Sequence, residues 1–560
     1  MTGRVFFPSM PRYRKSYLRP DLIAGLTVWA VLVPEALAYA SIAGVPAVVG
    51  LYAAVPALVL YAVFGSSRHL VVGPMSATAA LSAAIVGPMV AGDPVRFAAM
   101  SAALAVVTGI VGVLAGLFRA GFIAAFISEP VLKGFIIGLA LTIIIGQVPK
   151  LLGVDKGSGN FFGQLWAVLT RLGDVDWRTA LIGILSLAGV LAFKRWLPLL
   201  PGSLVAVVAG IVAVHLLHLD AHGVAVVGHI DAGLPDVGLP TDIGLSDYLA
   251  LVGPALGVLL IGFAEGLGAA KTYAAKSGYT IDANRELLGM GAANAGAGLC
   301  SGMVVNGSLS KTAVNGGAGA RSQVSGLTVA VLTVVTLLFL TGLFEKLPEA
   351  TLAAVVIAAV VELVDFAALR RLYAVWTSQL AGIYGHATRV DFISAVAAMI
   401  GVLVFDTLPG LFIGITVSLL VLLYRVSRPH VARLGKDGDR WVDLTNHPDA
   451  QSPPGTSVVR VEAGIFFANA DNVRDAVLAQ VDPDTTTIVI DAETSPSVDV
   501  TAVEMLVHLA EELRARGVAL RIARDVAQFR EALEAVDRSG SLPVYDTVHA
   551  ALEAGTKPDD

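Results

Sequence analysis

Stretches of about twenty apolar residues recur along the first three quarters of the chain, and they restrict the fold more than any other feature. A helix needs about 20 apolar residues to cross the hydrocarbon core of a bilayer. We therefore predict a polytopic α-helical membrane protein with about fourteen segments, some of them short or broken by glycine. The full-length segments lie near 22–42, 46–64, 97–117, 131–151, 178–194, 200–217, 249–270, 324–343, 349–363, 390–405 and 409–426. The shorter segments lie near 74–90, 286–301 and 308–318.

The distribution of charge divides the chain near residue 430. Only 15% of all residues are charged, yet the last 130 residues contain 12 basic and 23 acidic side chains, a net charge of −11. The remaining 26 basic and 21 acidic side chains give the preceding part a net charge of +5. The acidic C-terminal part argues against nucleic-acid binding. We predict a cytosolic N-terminus at 1–20, a transmembrane domain at 21–430, a linker at 431–454 and a water-facing domain at 455–556.

Basic residues predict the orientation in the membrane, because Lys and Arg are enriched in cytosolic connections. With fourteen spans, most basic connections fall on the side of the N-terminus, whereas the long connection 218–248 has no Lys or Arg and several Asp. We therefore expect both termini in the cytosol. The N-terminus lacks a short apolar run with a cleavage site, so no removable signal peptide is expected. The basic residues assigned to the cytosolic side are Arg12, Arg14, Lys15, Arg19, Arg68, Arg119, Lys194, Arg195, Lys271, Lys276, Arg285, Arg321, Arg370, Arg371 and Arg389.

An internal repeat pairs two of the short segments. Residues 71–80, VVGPMSATAA, match residues 305–314, VNGSLSKTAV, at five aligned positions that include Ser76 and Ser310. In many secondary transporters, half-helices at corresponding places of two inverted repeats direct their positive N-terminal ends at the substrate near the bilayer midplane. This arrangement suits an anion. The alternative is that the Gly and Ser residues only allow close helix packing.

Among the ionisable side chains of the predicted membrane segments we single out three: Glu35, Glu265 and Lys311. Charges at the bilayer centre are costly, so each is a candidate functional residue. We prefer Lys311 as the anion contact, with a structural salt bridge, for instance to Glu265, as the alternative. Glu35 could carry a proton with the anion or could be a neutral packing residue, and Glu265 could bind H⁺ or Na⁺ or only neutralise Lys311. Cys300 is the only cysteine, and we expect no metal site and no cofactor beyond a coupling ion.

Several motifs make the chain similar to the sulfate permease (SulP) family of anion transporters, in its bacterial branch. The most specific is AVVGLYAAVPALVLYAVFGSSR at 47–68, in which Gly-Leu-Tyr leads through a span to Gly-Ser-Ser-Arg. GPMSATAAL from Gly73, DANRELLGMGAANAGAG at 282–298 and NGSLSKTAVN before GGAGARSQVSG also resemble the family. The resemblance covers nearly the whole chain, and it implies a bacterial cytoplasmic membrane protein.

The resemblance implies fourteen segments arranged as two inverted repeats of seven. Segments 1–4 and 8–11 would form a substrate-carrying core, and segments 5–7 and 12–14 a gate past which the core moves like an elevator. The chain departs from many members of the family at two positions that matter. Those relatives have Gln where this chain has Glu35, and Arg where it has Lys311. A carboxylate at Glu35 favours proton-coupled uptake, and Lys311 lacks the bidentate fork of Arg, so sulfate, bicarbonate, chloride and dicarboxylates all stay open as substrates. The implied anion site comprises Glu35, Tyr39, Pro74, Met75, Ser76, Glu265, Ser308, Ser310 and Lys311.

The C-terminal part predicts a small α/β domain with a mostly parallel sheet. Strands near 457–463, 486–491 and 518–523 would alternate with helices near 470–481, 500–516 and 526–536. This part resembles the STAS domain that such transporters share with anti-anti-sigma factors. The resemblance makes Thr501 a candidate phosphorylation site, and the alternative is that Asp499 or Thr501 only caps the helix.

The leading prediction is a secondary active transporter of a small anion, with H⁺ or Na⁺ as the coupling ion and a STAS domain for regulation or dimer contacts. We expect a homodimer in the lipid bilayer and a cytosolic protein as a further candidate partner. Two alternatives stay open. A nucleobase/H⁺ symporter of the same fold would not need a cation at the half-helix, and an anion sensor would signal through the STAS domain without transport.

Overall fold

The computed structural model describes residues 6–10, 13–90, 92–122, 128–157, 159–197, 201–230, 232–241, 243–361, 364–377, 381–405, 407–524, 527–536 and 542–554. Arg12 and parts of the predicted segments 1–20 and 455–556 lie outside these residues. The chain forms two compact units, Met1–Ser418 and Leu419–Asp560.

Helices dominate the first unit, and each of the fourteen predicted segments corresponds to one of them. Among the described residues, seven helices are long and apolar enough to cross a membrane. The helices are α1 Leu18–Ala43, α2 Ala47–Phe64, α3 Ser76–Val86, α4 Pro94–Leu117, α5 Glu129–Leu152, α6 Phe161–Thr170, α7 Trp177–Trp196, α8 Gly202–Leu217, α9 Leu245–Ala250, α10 Val252–Ser277, α11 Ala283–Leu299, α12 Leu309–Gly317, α13 Val324–Val335, α14 Glu349–Val360, α15 Phe366–Thr377, α16 Ala381–Phe405 and α17 Thr407–Ser427.

Three of these helices, α6, α9 and α15, lie in connections and were not predicted. Helix α6 has 10 residues, and its exposed Phe162, Trp166 and Leu169 recur at helical spacing. Such a helix is too short to span a bilayer, so a search for runs of about twenty apolar residues overlooks it. The predicted segment 324–343 combines α13 with a π-helical turn at Thr336–Leu340.

The helices of the first unit pack as two groups. Helices α1–α4 pack with α10–α13, which is the predicted core, and α5, α7 and α8 pack with α14 and α16 of the predicted gate. Glycine allows a close core contact between α4 and α11, because a Cβ atom at Gly109 would lie 2.2 Å from the backbone nitrogen of Ala295. The groups meet where α1 contacts α8 and α14 and where α3 contacts α5.

Two short strands join the repeats at the centre of the core. Strand β1, Val71–Gly73, pairs antiparallel with β2, Asn306–Ser308, so that Val72 lies opposite Gly307. Each strand is followed by a short helix, α3 or α12. An antiparallel pair of equivalent strands is what a two-fold axis between inverted repeats produces. The first unit is therefore a polytopic bundle of apolar helices in which the two repeated segments meet in antiparallel orientation.

The second unit contains a six-stranded sheet with the strand order β4-β3-β5-β6-β7-β8. Strands β5 to β8 are parallel, and β3 pairs antiparallel with both β4 and β5. The predicted strands and helices are confirmed within a few residues. The elements are β3 Val431–Asp437, β4 Arg440–Asp443, β5 Thr456–Val461, α18 Ala470–Leu478, β6 Thr487–Asp491, α19 Val500–Ala515, β7 Ala519–Ala523, α20 Ala527–Val536, β8 Val544–Tyr545 and α21 Val548–Glu553.

The predicted linker at 431–454 is wrong in its first half. Residues 431–437 and 440–443 are strands of the sheet, so the domain begins before residue 455. Ala432 and Leu434 point into a buried cluster and are at most 2% exposed. These two strands were overlooked because their charged residues and Gly435 outnumber their apolar residues. Side chains of a strand alternate between its two faces, however, so a few apolar residues at alternate positions are enough to bury one face.

Candidate functional site

The two half-helices begin at the β1–β2 pair and thereby bring the repeated segments together. Ser308 precedes α12, and its hydroxyl accepts a hydrogen bond of 3.2 Å from the backbone N–H of Lys311. Met75 is the residue before α3, and it has no side-chain oxygen with which to cap that helix. The first backbone N–H groups of α3 and the positive end of its dipole therefore have no acceptor on the side chain of the residue before the helix.

Lys311 is the buried cation of this site. Its ammonium donates to the carboxylate of Glu35 over 2.9 Å and to the carbonyl oxygen of Pro74 over 3.1 Å. It also lies 5.1 Å from the centre of the Tyr39 ring, within reach of a cation–π contact. The side chains of Lys311 and Glu35 are 1% and 9% exposed. One ammonium thus joins α12, α1 and the segment that precedes α3.

Lys311 pairs with Glu35, and not with Glu265 as the salt-bridge alternative suggested. Glu265 on α10 accepts a hydrogen bond of 3.3 Å from the side-chain amide of Asn306, and the ion pair of Lys311 goes to Glu35. The prediction that Lys311 could form a buried salt bridge is therefore confirmed, and its suggested partner is wrong. The amide oxygen of Asn306 accepts the Gly307 N–H over 2.7 Å, so this side chain connects Glu265 to β2.

The hydroxyl residues of the predicted site differ in exposure. Ser76 is 4% exposed and Ser308 is fully buried, whereas Ser310 is exposed. The hydroxyl oxygens of Ser308 and Ser310 are 3.1 Å apart. Met75 is buried as well. Ser310 is therefore the hydroxyl among these that a molecule from outside can reach in this conformation.

A cavity of about 350 Å³ lies between the core and gate helices. Glu35 and Ser310 line it from the core, and Lys194 and Ser203 line it from α7 and α8. Apolar residues such as Val355 on α14 complete the wall. Two of the predicted site residues thus border this space directly, and the buried Lys311 lies behind Glu35.

Buried polar residues that the sequence did not single out hold the segment before β1. Glu286 at the start of α11 accepts hydrogen bonds from the hydroxyl of Tyr61 over 2.6 Å and from the backbone and side chain of Ser66 over 2.8 and 2.7 Å. It also accepts the Ser67 N–H over 3.0 Å. The sequence signal was present, because Glu286 lies inside the quoted motif at 282–298. It was overlooked because it lies at the edge of an apolar run.

A second overlooked carboxylate fixes the segment after α12. Asp21 on α1 is fully buried and accepts hydrogen bonds from the backbone N–H groups of Arg321 and Ser322 over 2.6 and 3.1 Å. On the other repeat, the hydroxyl of Thr312 accepts the Val71 N–H over 3.1 Å. These contacts fix the loops on both sides of the paired strands, so the half-helix ends have a rigid support.

In the second unit, Thr501 lies in the first turn of α19. Asp499 is the cap, since its carboxylate accepts the N–H of Ala502 over 2.8 Å and the N–H of Phe467 over 2.9 Å. Thr501 is exposed, and so are its neighbours Val500 and Phe467, at 60% and 74%. The capping alternative is confirmed for Asp499, and the hydroxyl of Thr501 is left accessible.

Comparisons with known proteins agree with this architecture. The model of the sulfate permease family matches residues 18–383, and the STAS domain model matches residues 447–551. A protein of Mycobacterium tuberculosis strain CDC 1551, named a probable sulfate transporter, is 37% identical over 550 residues, which cover 97% of this chain and 96% of that protein. Sulfate transporter 3.1 of Arabidopsis thaliana is 27% identical over 579 residues, covering 98% of this chain and 86% of that one.

Solved structures share the fold. The murine Solute Carrier 26 family member A9 anion transporter superposes with a TM-score of 0.86 at 22% identity, covering 98% of this chain and 93% of that chain. The transmembrane domain of a cyanobacterial bicarbonate transporter superposes with a TM-score of 0.62 at 24% identity, covering 73% of this chain and 100% of that one. With a family model that covers most of its length and relatives matched from end to end, this chain belongs to the sulfate permease family, a family of multi-pass membrane transporters.

Proposed function

We propose that this protein is a secondary active sulfate transporter that carries one proton with its substrate. The observation that carries the proposal is the buried ion pair of Lys311 and Glu35 between the two half-helices. The names of the relatives support sulfate as the substrate. We further expect a homodimer in the bacterial cytoplasmic membrane with both termini in the cytosol.

The ion pair supports coupling to protons through simple electrostatics. While both groups are charged, Glu35 neutralises the cation that an anion would need. Adding sulfate, a dianion, to this neutral low-dielectric pair would create two uncompensated negative charges, which is costly. One proton on Glu35 halves that excess, and the positive ends of the half-helices face the charge that is left. A proton on Glu35 frees the charge of Lys311 for the incoming anion. Anion and proton would then bind together, which is the thermodynamic basis of symport.

The distribution of site residues supports movement of the core as an elevator. All residues of the predicted anion site lie on core elements, namely α1, α3, α10, α12 and the segments around β1 and β2. The gate contributes the opposite wall of the cavity through Lys194 and Ser203. A core that slides past this wall would carry the whole anion site with it.

A liposome flux panel tests the function. The purified full-length protein is reconstituted, and uptake of sulfate, bicarbonate, chloride and a small dicarboxylate is measured with an inward H⁺ gradient, an inward Na⁺ gradient and neither. We expect sulfate uptake that is driven by the H⁺ gradient. Uptake of a nucleobase instead of the anions would favour the nucleobase symporter, and sulfate binding without flux would favour the sensor.

The same assay tests a regulatory role for the STAS domain. We expect Thr501→Glu to lower sulfate uptake about twofold or more, because a charge beside the exposed Val500 and Phe467 would weaken a contact with the second protomer, which is the partner that the purified protein itself provides. The substitution should not unfold the domain, since a negative charge in the first turn suits the helix dipole. Ser452→Glu, which adds the same charge at another exposed position, is the control. Equal uptake by Thr501→Glu and the wild type would contradict this role.

A further inference from the structure

The side-chain amide of Asn294, on α11, pairs with the backbone just before strand β2. Its oxygen accepts the N–H of Val305 over 2.9 Å, and its nitrogen donates to the carbonyl oxygen of the same residue over 3.0 Å. The nitrogen also donates to the carbonyl oxygen of Met290 over 3.0 Å. These partners fix the orientation of the amide, because a backbone N–H only donates and a carbonyl only accepts. One side chain therefore satisfies both backbone polar groups of Val305.

Burial makes this pairing costly to lose. Asn294 and Val305 are each 3% exposed, and they belong to a membrane-spanning unit. A backbone N–H or C=O that neither water nor protein satisfies is strongly unfavourable in such surroundings. Without the amide, the chain at Val305 must therefore move until its two polar groups find other partners.

Helix α11 is a fixed support for this amide, because its backbone touches that of α4 on both sides of Asn294. A Cβ atom at Gly291 would lie 2.4 Å from the backbone nitrogen of Val113. A Cβ atom at Gly298 would lie 2.5 Å from the carbonyl oxygen of Ala102. Backbones packed this closely cannot shift along one another without opening gaps. Asn294 thus holds the start of β2 at a fixed place in the core.

Strand β2 transmits this position to the cation of the anion site. Ser308, the last residue of β2, caps α12 by accepting the N–H of Lys311. Strand β1 pairs with β2, and Pro74, directly after β1, accepts a hydrogen bond from the ammonium of Lys311. The place of the ammonium therefore depends on where β2 lies against β1. Asn294 is not one of the described residues that line the cavity between core and gate, so its influence on an anion must pass through β2.

We propose that Asn294 is a positioning residue of the anion site, because its amide sets where β2 lies and hence where the ammonium of Lys311 meets the anion. The inference rests on the proposed transport of sulfate. It concerns the binding step, since a displaced ammonium attracts the anion less, whereas the movement of the loaded core does not involve this amide. Loss of the amide should therefore appear in the KM for sulfate rather than in the maximal rate per folded protein.

Two substitutions of Asn294 and one control test this role. Asn294→Leu keeps a similar volume and cannot bond to Val305. Asn294→Ser is the milder variant, because a serine hydroxyl in a helix can donate to the carbonyl one turn earlier, here that of Met290. Asn284→Leu is the matched control, since Asn284 lies on the same helix and accepts the N–H of Gly121 over 2.9 Å, away from β2. Unfolding midpoints of the full-length proteins are recorded, and uptake into liposomes is measured against sulfate concentration under one H⁺ gradient.

We expect both Asn294 variants to raise the KM for sulfate about tenfold, with a maximal rate per folded protein within about twofold of the wild type. Asn284→Leu should keep the wild-type KM. A role in folding alone lowers the amount of active protein and leaves the KM unchanged, so a wild-type KM in Asn294→Ser would overturn the proposal even where Asn294→Leu does not fold. An equal rise in Asn284→Leu would overturn it as well. A wild type that takes up another anion but no sulfate would contradict the proposed substrate, and the same comparison of KM values with that anion would then test Asn294.

Discussion

Sulfate binding by Lys311→Ala is expected to fall about 100-fold or more below that of the wild type, equal to about 2.8 kcal/mol or more. The ammonium of Lys311 is the cation at the point where α12, α1 and the start of α3 meet. In a buried site an anion depends on such a charge far more than it would in water. Binding is measured by calorimetry on the purified protein, and flux in liposomes.

Loss of binding must be separated from loss of folding. Lys311→Ala leaves the carboxylate of Glu35 buried without its ion-pair partner, which costs about 3–5 kcal/mol of stability when it happens in a protein interior. The double variant Lys311→Ala with Glu35→Gln removes this charge and should restore the unfolding midpoint without restoring sulfate binding. Lys311→Arg should keep binding because it keeps the charge. Lys271→Ala removes an exposed lysine as a control, and wild-type affinity in Lys311→Ala would exclude the assigned site.

The second large effect concerns Glu35→Gln, which should abolish the dependence of uptake on the proton gradient while leaving sulfate binding intact. Glutamine keeps the shape and an acceptor for the ammonium of Lys311, but it cannot release a proton. For a single coupled proton, uptake by the wild type should change by up to about tenfold per pH unit, in the direction of faster uptake from the more acidic side. The variant should show a flat profile.

Glu265→Gln is the matched control for this prediction. Glu265 lies near the same strands but bonds to Asn306 rather than to Lys311, so its variant should keep proton-driven uptake. A pH-sensitive dye inside the liposomes reports proton entry during sulfate uptake. Proton entry that persists in Glu35→Gln and disappears in Glu265→Gln would assign the coupling role to Glu265 instead.

The transmembrane helices were predictable from the sequence because the bilayer fixes their length and polarity. Helix α1 covers the predicted 22–42, and α2 covers nearly all of 46–64. The half-helices were predictable because the repeat 71–80 and 305–314 preserves Gly and Ser at the strand-to-helix turns. The amphipathic helix α6 and strands β3 and β4 were not predicted, because the bilayer does not fix the length and polarity of elements that do not span it.

The sequence by itself determined that this chain crosses a membrane many times, repeats itself, and places Lys311 at the start of a half-helix. It could not select Glu35 over Glu265 as the partner of Lys311, because both carboxylates lie in apolar helices of the core. Glu35 and Lys311 are 276 residues apart, and only the packing of α1 against α12 brings them to 2.9 Å. Hydropathy is a local property, whereas the pairing of buried charges depends on how distant helices pack, and that was decided by the tertiary structure.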